Sequence, residues 1–281
     1  MVIKSLAVVS VALLASGLAQ AADSTTPASP TDASAGTWAA QGQLGLIVTR
    51  ADTNASSGNA TFNAAHAMGR WTLSGGAAAL YARTGSITSQ QDLSANLQAD
   101  LELSKRTFWF STATYDRNLF TGFAYQESIA SGGGFNFLQT PATQLTGELG
   151  LGYRRQEPEV LVTSPAGAVI SRMRQPVVNE AVLQAAMKYQ HSITATTKLL
   201  DTLLVEYGSS DTTTTDNLSL QVKVDASLSL AVGMQLVNNS SPPPGSAKHT
   251  DAVMTVNLVY ELKNPKLSAT GTQVANDLKL P

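Results

Sequence analysis

The chain has 281 residues, of which 43% are hydrophobic and 14% are charged, so it is not a disordered polyelectrolyte and can bury one or two cores. Its formal charge of -2 gives no global basic field, which argues against a nucleic-acid-binding protein. The absence of cysteine excludes a disulfide framework, a thiolate nucleophile, a thiolate metal site and a lipidated N-terminal cysteine.

The N-terminal segment, residues 1–21, has the organisation of a cleavable signal peptide. Lys4 supplies a short positive region, residues 6–14 are apolar, and Ala19-Gln20-Ala21 is a cleavage site of small residues. The apolar stretch is shorter than the roughly 20 residues that a membrane-spanning helix requires, and no later stretch is long enough. Residues 22–36 are rich in Ser, Thr, Pro and Ala without apolar periodicity, so we predict a flexible linker there.

From residue 37 onwards, apolar and polar residues alternate with a period of two, which is typical of β-strands. The clearest case is residues 92–103, where every odd position is Leu or Ala and every even position is polar. A helix is the competing interpretation, because Leu93, Leu97 and Leu101 are spaced by four, but Leu103 leaves that stripe. Several later segments alternate in the same way and are rich in β-branched residues, which favours strands throughout.

The alternation predicts one barrel domain over residues 37–262, with an all-β, transmembrane, antiparallel fold of about 12 strands. The predicted loops are sorted by length, with short turns at one end and mostly longer loops at the other, and a soluble sandwich has no reason to sort them so. The predicted strands are 37–49, 58–68, 70–83, 90–103, 107–117, 122–135, 143–155, 176–190, 197–208, 213–224, 227–239 and 250–262.

All seventeen aromatic residues lie near predicted strand ends or loops, as in the aromatic girdles of membrane barrels. Aromatic residues that simply cap the strands of a soluble sheet are the alternative interpretation. One predicted girdle, assigned to the periplasmic side, contains Trp38, Trp71, Phe108, Trp109, Phe110, Phe135, Phe137, Tyr189 and Tyr260. The other, assigned to the extracellular side, contains Phe62, Tyr81, Tyr115, Phe120, Phe123, Tyr125, Tyr153 and Tyr207. Glycines within the strands, such as those at 132–134, would relieve crowding and let the wall bend.

The order of the central motifs resembles the DUF481 family of exported barrel proteins. Residues 117–125 fit an R-N-x-F-x-G-x-x-Y pattern, residues 150–154 fit G-x-G-Y-R, and the similarity extends over most of residues 60–262. The resemblance implies a Gram-negative outer-membrane protein, sometimes described as salt-induced, with no established activity. One departure is the tail, residues 263–281, because such barrels usually end on an aromatic residue. The assembly machinery would then recognise the internal segment 259–262.

The polar parity of the strands predicts a charged lumen with seven acidic and three basic residues. Such a lining could attract cations into a water-filled bore, but inward charges in a narrow barrel can equally pair into a polar plug. Glu127 does not fit this assignment, because it shares its parity with Phe123 and Ile129; a bulge or an error in the strand would explain it. The predicted lumen residues are Asp92, Asp100, Glu102, Glu148, Arg154, Glu180, Lys188, Glu206, Lys223 and Asp225.

The sequence offers little for catalysis or for metal binding. His66, His191 and His249 lie on different strands or rims without a ligand motif, so we predict rim positions and no cofactor or metal. The function that fits best is a small, weakly cation-selective channel or a protein of envelope or osmotic homeostasis. A barrel hydrolase that acts on lipid or peptide at the extracellular rim is the alternative, although no serine follows a histidine by two residues on the same face.

A final group of charges lies in the long loop after the seventh predicted strand. It contains Arg154, Arg155, Arg172 and Arg174 together with Glu157 and Glu159. A basic rim of this kind could contact lipopolysaccharide, although loop arginines are more often simply solvated. The expected partners are therefore outer-membrane lipid and lipopolysaccharide, the assembly machinery during insertion, and small ions or solutes.

Overall fold

The computed structural model describes residues 37–49, 55–119, 122–164, 169–243 and 249–263. The predicted signal peptide, the linker and nearly all of the tail lie outside these residues. The strands are β1 Thr37–Thr49, β2 Ala55–Met68, β3 Trp71–Thr84, β4 Ile87–Glu102, β5 Thr107–Asn118, β6 Phe123–Gln139, β7 Thr143–Thr163, β8 Val169–Arg174, β9 Val178–Ser192, β10 Thr197–Gly208, β11 Thr212–Lys223, β12 Leu228–Asn239 and β13 Thr250–Lys263.

Twelve of these strands form a closed antiparallel barrel, which confirms the predicted fold class. Each barrel strand pairs with its neighbours in the chain, and β1 closes the ring by pairing with β13. This closing seam has six residue pairs, from Ala39 opposite Lys263 to Leu44 opposite Leu258, whereas β1 and β2 share thirteen. Within the described residues, no helix is long and apolar enough to cross a membrane.

The two ends of the barrel are named here by their connections. The turn end carries the first residue of β1, the last of β13 and the connections at 69–70, 103–106, 140–142, 193–196 and 224–227. The loop end carries the remaining connections. The long connection expected between the third and fourth strands is instead a tight turn at Gly85-Ser86, because Gly85 adopts a left-handed φ of 61° that lets both strands continue. The two ends of the barrel therefore differ less in the length of their connections than the sequence suggests.

The thirteenth strand, β8, lies outside the barrel. Residues 156–175 read as a loop in the sequence, but β7 continues to Thr163 and pairs with β8 as a hairpin beyond the loop end. Arg172 and Arg174 on β8 form ion pairs of 3.3 Å with Glu159 and Glu157 respectively. These cross-strand pairs join the two strands on one face, and Val160 opposite Met173 lies on the other.

Apolar side chains cover the outside of the barrel. On β4, Leu97 is 62% exposed while the neighbouring Gln98 faces inward and is 9% exposed, as the alternation predicts. Leu44, Leu151 and Met254 on other strands are between 69% and 74% exposed. A continuous apolar surface of this extent is unfavourable in water and matches the lipid-facing belt of a transmembrane barrel.

Two residues of the predicted periplasmic girdle face inward. The assignment of Phe108 and Phe110 to the outer wall was therefore wrong. Both rings are buried in the bore, at 9% and 0% exposure, while Trp109 between them faces outward. The reason lies on the neighbouring strands, because a Cβ atom at Gly134 would lie 2.1 Å from the Phe108 ring and one at Gly150 would lie 2.8 Å from that of Phe110. These two glycines make room for the phenyl rings inside the wall.

Other girdle positions face outward as expected. Trp38 and Trp71 near the turn end, and Tyr81, Tyr153 and Tyr207 near the loop end, are between 46% and 63% exposed. In contrast, Phe123 is buried at 3% exposure, next to a bulge in β6, and does not belong to the girdle. Phe120 lies outside the described residues.

Candidate functional site in the barrel interior

The candidate site is a polar cavity of about 390 Å³ inside the barrel, which we call the inner cavity. Its walls come from strands all around the ring, because each strand turns every second side chain inward. The lining includes Gln43, Asn96, Asp116, Glu148, Lys188 and Glu206.

A charged contact crosses the bore on the turn-end side of the cavity, and we call it the cross-bore bridge. It joins Gln98 on β4, Glu148 on β7 and Lys188 on β9. The Gln98 amide donates to Glu148 at 3.1 Å, the Lys188 ammonium donates to the Gln98 carbonyl oxygen at 3.2 Å, and Lys188 also pairs directly with Glu148. Because β5 and β6 lie between β4 and β7, the bridge spans part of the bore and narrows it.

A second charged cluster surrounds Arg154 near the loop end. Arg154 is 1% exposed and its Nη2 lies 2.6 Å from the Glu180 carboxylate. The same guanidinium donates to the Asp211 carbonyl oxygen at 2.7 Å and to the Thr213 hydroxyl at 2.9 Å. Glu180 also accepts the Ser210 backbone N–H at 2.8 Å. With its charge paired and its donors used, Arg154 ties β7, β9 and the β10–β11 turn together.

Three carboxylates that line the inner cavity form what we call the acidic trio, Asp92, Asp116 and Glu206. Asp116 lies close enough to the other two to interact with them electrostatically. Asp116 points into the bore and is still exposed, which shows that the space beside it is wide enough for water. None of the trio takes part in the ion pairs found between described residues.

In the turn-end half of the bore, inward side chains leave less open space than they do in the inner cavity. The Phe110 ring, Val259 and Ala65 are each between 0% and 1% exposed there. Inward amides such as Gln41 and Asn257 are also buried, at 8% and 7% exposure. The inner cavity therefore narrows towards the turn end.

The structure places seven of the ten predicted lumen residues along the inner wall. Asp92, Glu148, Arg154, Glu180, Lys188 and Glu206 have the contacts given above, and Asp100 accepts a hydrogen bond of 2.8 Å from Gln98. The other three, Glu102, Lys223 and Asp225, are exposed at the turn-end rim and do not line the bore. Glu102 and Lys223 are the last residues of their strands, and Asp225 lies in the following turn, so the alternation no longer determines their direction.

The sequence reasoning missed two contributors to the interior. Asp116 lies on the same face of β5 as Phe108 and Phe110. It was overlooked because those two rings were assigned to the outer girdle, which placed this face of the strand outside. Asp211, at 4% exposure, lies in a turn where alternation predicts nothing; it accepts hydrogen bonds from Ser240 and Ser241 at 3.0 and 2.9 Å.

Three acidic residues on the outer wall are exceptions to its apolar pattern. Glu127 is exposed on the outer face in regular alternation with Ile129, and the bulge of β6, between Phe123 and Tyr125, changes the face of Phe123 instead. Asp201 and Asp216 lie on the outward faces of β10 and β11, among otherwise apolar residues.

The histidines lie on the outer wall or the rim. His66 stacks on Trp38 with ring centroids 4.0 Å apart, and His249 contacts the Asn239 carbonyl oxygen. The Nδ1 atom of His191 lies 2.9 Å from the Thr143 hydroxyl. Among the described residues, no histidine ring contacts a serine hydroxyl, and no group of His, Asp and Glu is placed to hold a metal ion. The hydrolase alternative therefore has no structural support within this part of the chain.

Comparison with known proteins places the chain in a family without an assigned activity. The family described as "Protein of unknown function, DUF481" matches residues 42–262. The uncharacterized protein YdiY of Escherichia coli K12 is 23% identical over 176 residues, which cover 62% of this chain and 63% of YdiY. The match thus spans less than two thirds of that relative.

Solved barrels are similar in fold with low sequence identity. The translocator domain of the autotransporter NalP from Neisseria meningitidis is 14% identical, with a TM-score of 0.45, over 83% of this chain and 90% of that domain. The NanC porin is 8% identical, with a TM-score of 0.46, over 79% of this chain and 100% of the porin. The COG4313 outer-membrane channel from Pseudomonas putida F1 is 10% identical, with a TM-score of 0.45, over 84% of this chain and 100% of that channel.

Proposed function

The chain belongs to the DUF481 family, and from that premise we propose that it is a narrow, weakly cation-selective channel of the outer membrane. The observation that carries the proposal is the acidic trio in a water-accessible part of the inner cavity. Such carboxylates lower the energy of an entering cation and raise that of an anion, and the low-dielectric wall strengthens the effect. A role in envelope or osmotic homeostasis would follow from slow passage of small ions.

The orientation follows from the connections and the outer surface. We place the turn end in the periplasm and the loop end outside the cell, as in bacterial barrels with short periplasmic turns. The cleavage site after Ala21 supports export of the chain. Fractionation tests this placement: the mature protein should be found with outer membranes and should migrate faster on SDS gels unboiled than boiled. Recovery as a soluble periplasmic monomer without detergent would contradict it.

The cross-bore bridge explains why the conductance should be small. Gln98, Glu148 and Lys188 occupy the bore between the wide acidic region and the filled turn-end half, so an ion must pass beside them. Lys188 also places a positive charge in the path of a cation. The narrowest part of the channel therefore lies at the bridge and at the phenyl rings beyond it.

Single-channel recording in planar bilayers tests the selectivity. Replacing the acidic trio together, as Asp92→Asn, Asp116→Asn and Glu206→Gln, should shift the reversal potential towards zero while changing conductance little, because pore width is preserved. The wild-type selectivity should fade as the Debye length falls from about 10 Å at 0.1 M salt to about 3 Å at 1 M. Glu127→Gln is the matched control, because it removes an exposed outward carboxylate and should leave the reversal potential unchanged.

Lys188→Met tests the position of the constriction. Removing the ammonium opens the bridge and deletes a positive charge, so conductance and cation selectivity should both rise. Lys105→Met, in an exposed turn, is the control. A wild-type protein that never conducts, together with a Lys188→Met variant that also never conducts, would leave a structural wall protein as the better account.

A further inference from the structure

The closing seam of the barrel is paired over only part of its length. Its last residue pair towards the loop end is Leu44 opposite Leu258. Beyond that pair, β1 continues to Thr49 and stays paired with β2, while β13 extends to Thr250 and stays paired with β12. Along these described stretches no pairing joins β1 to β13. We call them the seam split, residues 45–49 and 250–257, and at the rise of a β-strand its β1 side is about 17 Å long.

The seam split leaves two strand edges in the loop-end half of the apolar belt. Leu46 on β1 and Met254 and Val256 on β13 face outward beside it, at 43% to 71% exposure. Open sheet edges are unfavourable in hydrocarbon, because their backbone N–H and C=O groups find no water there. The two edges therefore need water from the bore, or the polar part of a molecule that enters the split.

Side-chain amides hold the seam together where the split begins. The Asn59 amide donates to the Asn257 oxygen at 2.8 Å, and Asn257 donates to Gln43 at 3.2 Å. A Cβ atom at Gly45 would lie 2.2 Å from Asn59 Oδ1 and 2.3 Å from Asn257 Oδ1, so only glycine lets these amides meet across β1. Gln43 is 4% exposed, and its Nε2 has no hydrogen-bond partner within the described part of the chain. A buried donor therefore remains at this end of the split.

The inner cavity reaches both sides of the seam split. Gln43 and Asn59 line it from β1 and β2, and Val253, Thr255 and Asn257 line it from β13. A gap between these strands therefore connects the polar interior with the apolar belt outside.

The interior next to the split is acidic. Gly45, Asn59, Leu80 and Asp92 lie opposite one another on successive strands, so a member of the acidic trio stands in the row where the split begins. The charged side chains that line the cavity from inside are Asp92, Asp116, Glu148 and Glu206 against Arg154 and Lys188. Both basic side chains form ion pairs with carboxylates, so the lining carries a net negative charge. A positively charged group is therefore favoured there.

We propose that the seam split is a lateral passage by which a cationic amphiphile, with an ammonium head and one hydrocarbon tail, enters the inner cavity from the membrane. A small ion needs no opening in the wall, whereas an amphiphile can keep its tail among the apolar residues beside the split while its head reaches the carboxylates. The positive sign of the head rests on the proposed cation selectivity. The lateral route does not.

Photo-labelling tests the passage without relying on conductance. The probe is dodecyltrimethylammonium with a diazirine beside its head, added to the protein in phosphatidylcholine vesicles, and mass spectrometry maps the labelled residues. We expect labels on cavity residues such as Val253 and Thr215 as well as on outward residues such as Leu97, which show that the probe has reached the protein. A dodecyl sulfate probe with the same diazirine should label only the outer wall.

A disulfide across the split provides the decisive variant, because the chain has no cysteine of its own. Leu46→Cys and Val256→Cys stand opposite each other when the register of the seam is continued. Oxidation should abolish labelling of the cavity and spare Leu97, and reduction should restore it. Val232→Cys with Val256→Cys is the matched control, because these residues are opposite each other on the fully paired β12 and β13. If the first pair does not oxidise, a bulky maleimide on the thiol introduced at position 46 obstructs the split instead.

Three results would overturn the proposal. Absence of cavity labels in the unmodified protein would exclude entry, and cavity labels that survive closure of the split would show entry through the loop-end mouth. Equal cavity labelling by the sulfate probe would refute the cationic head. Sodium current in planar bilayers separates this proposal from the channel, because closing the split should leave that current unchanged. A chain that admits the probe through the split but never conducts would refute the channel alone.

Discussion

The two halves of the bore are built on the same twelve strands and differ in the chemistry of their inward side chains. Towards the turn end, phenyl rings and branched aliphatic residues such as Val259 occupy the centre, and the most buried are almost fully inaccessible. Towards the loop end, aspartates, threonines and serines line the wall, and Asp116 is exposed inside the barrel. Strand number alone therefore does not decide whether a barrel is filled. The inward residues decide it.

The largest expected effect comes from truncating a ring in the filled half. Phe110→Ala should destabilise the barrel by about 3–5 kcal/mol, because the phenyl ring is fully buried and its removal leaves a cavity. The same change should raise single-channel conductance, because the ring occupies the bore. Unfolding in urea from lipid vesicles measures the first effect. Phe137→Ala, an outward ring that is 56% exposed, should leave conductance unchanged. Equal conductance changes would refute the assignment of Phe110 to the bore.

A charge placed on either face of β4 tests where water reaches. Leu97→Arg places a cation in the lipid-facing belt, at an expected cost of about 2–4 kcal/mol. Asn96→Lys places one in the inner cavity, where water can solvate it, and should be tolerated. Folding yields in vesicles compare the two variants. Equal yields would mean that the faces, or the barrel itself, are assigned wrongly.

A smaller effect should follow from adding one methyl group in the filled half. Gly134→Ala would bring a Cβ atom to 2.1 Å from the Phe108 ring, so the ring must move, at a cost of about 1–3 kcal/mol. Gly133→Ala is its matched control, because nothing lies within 4 Å of a Cβ atom there. The difference between the two unfolding midpoints measures how tightly the ring fits. A neutral Gly134→Ala would show that the turn-end half is looser than the structure indicates.

The alternation along the strands was enough to predict the barrel. Residues 92–103 show why: in this part of β4 the leucines face out and the polar residues face in, and most positions of the later strands follow the same rule. The rule assigns faces only within strands. It therefore said nothing useful about Asp211 in its turn. It also missed β8, because the six residues of that strand, VISRMR, do not alternate strictly between apolar and polar.

The site was harder to predict because position along the strand matters as much as parity. Glu102 and Lys223 have the inward parity but stand where their strands end, so they are solvated. Phe108 and Phe110 were assigned to the girdle because they lie near a strand end, although three consecutive residues of a strand cannot share one face. The paired Phe108 and Gly134 on β5 and β6 were the signal available in the sequence, but it can be read only once the register is known.

The short seam between β1 and β13 has a consequence for the order of assembly. Its six pairs join residues more than 200 positions apart, so closing it loses more chain entropy than any hairpin step in the ring. Side-chain amides reinforce it from within: Asn257 on β13 donates to Gln43 on β1 at 3.2 Å and accepts from Asn59 on β2 at 2.8 Å. The successive hairpins can form from local contacts, and the ring can close only after both terminal strands are present. We therefore expect the seam to form last and, because it has the fewest backbone pairs of the barrel junctions, to open first.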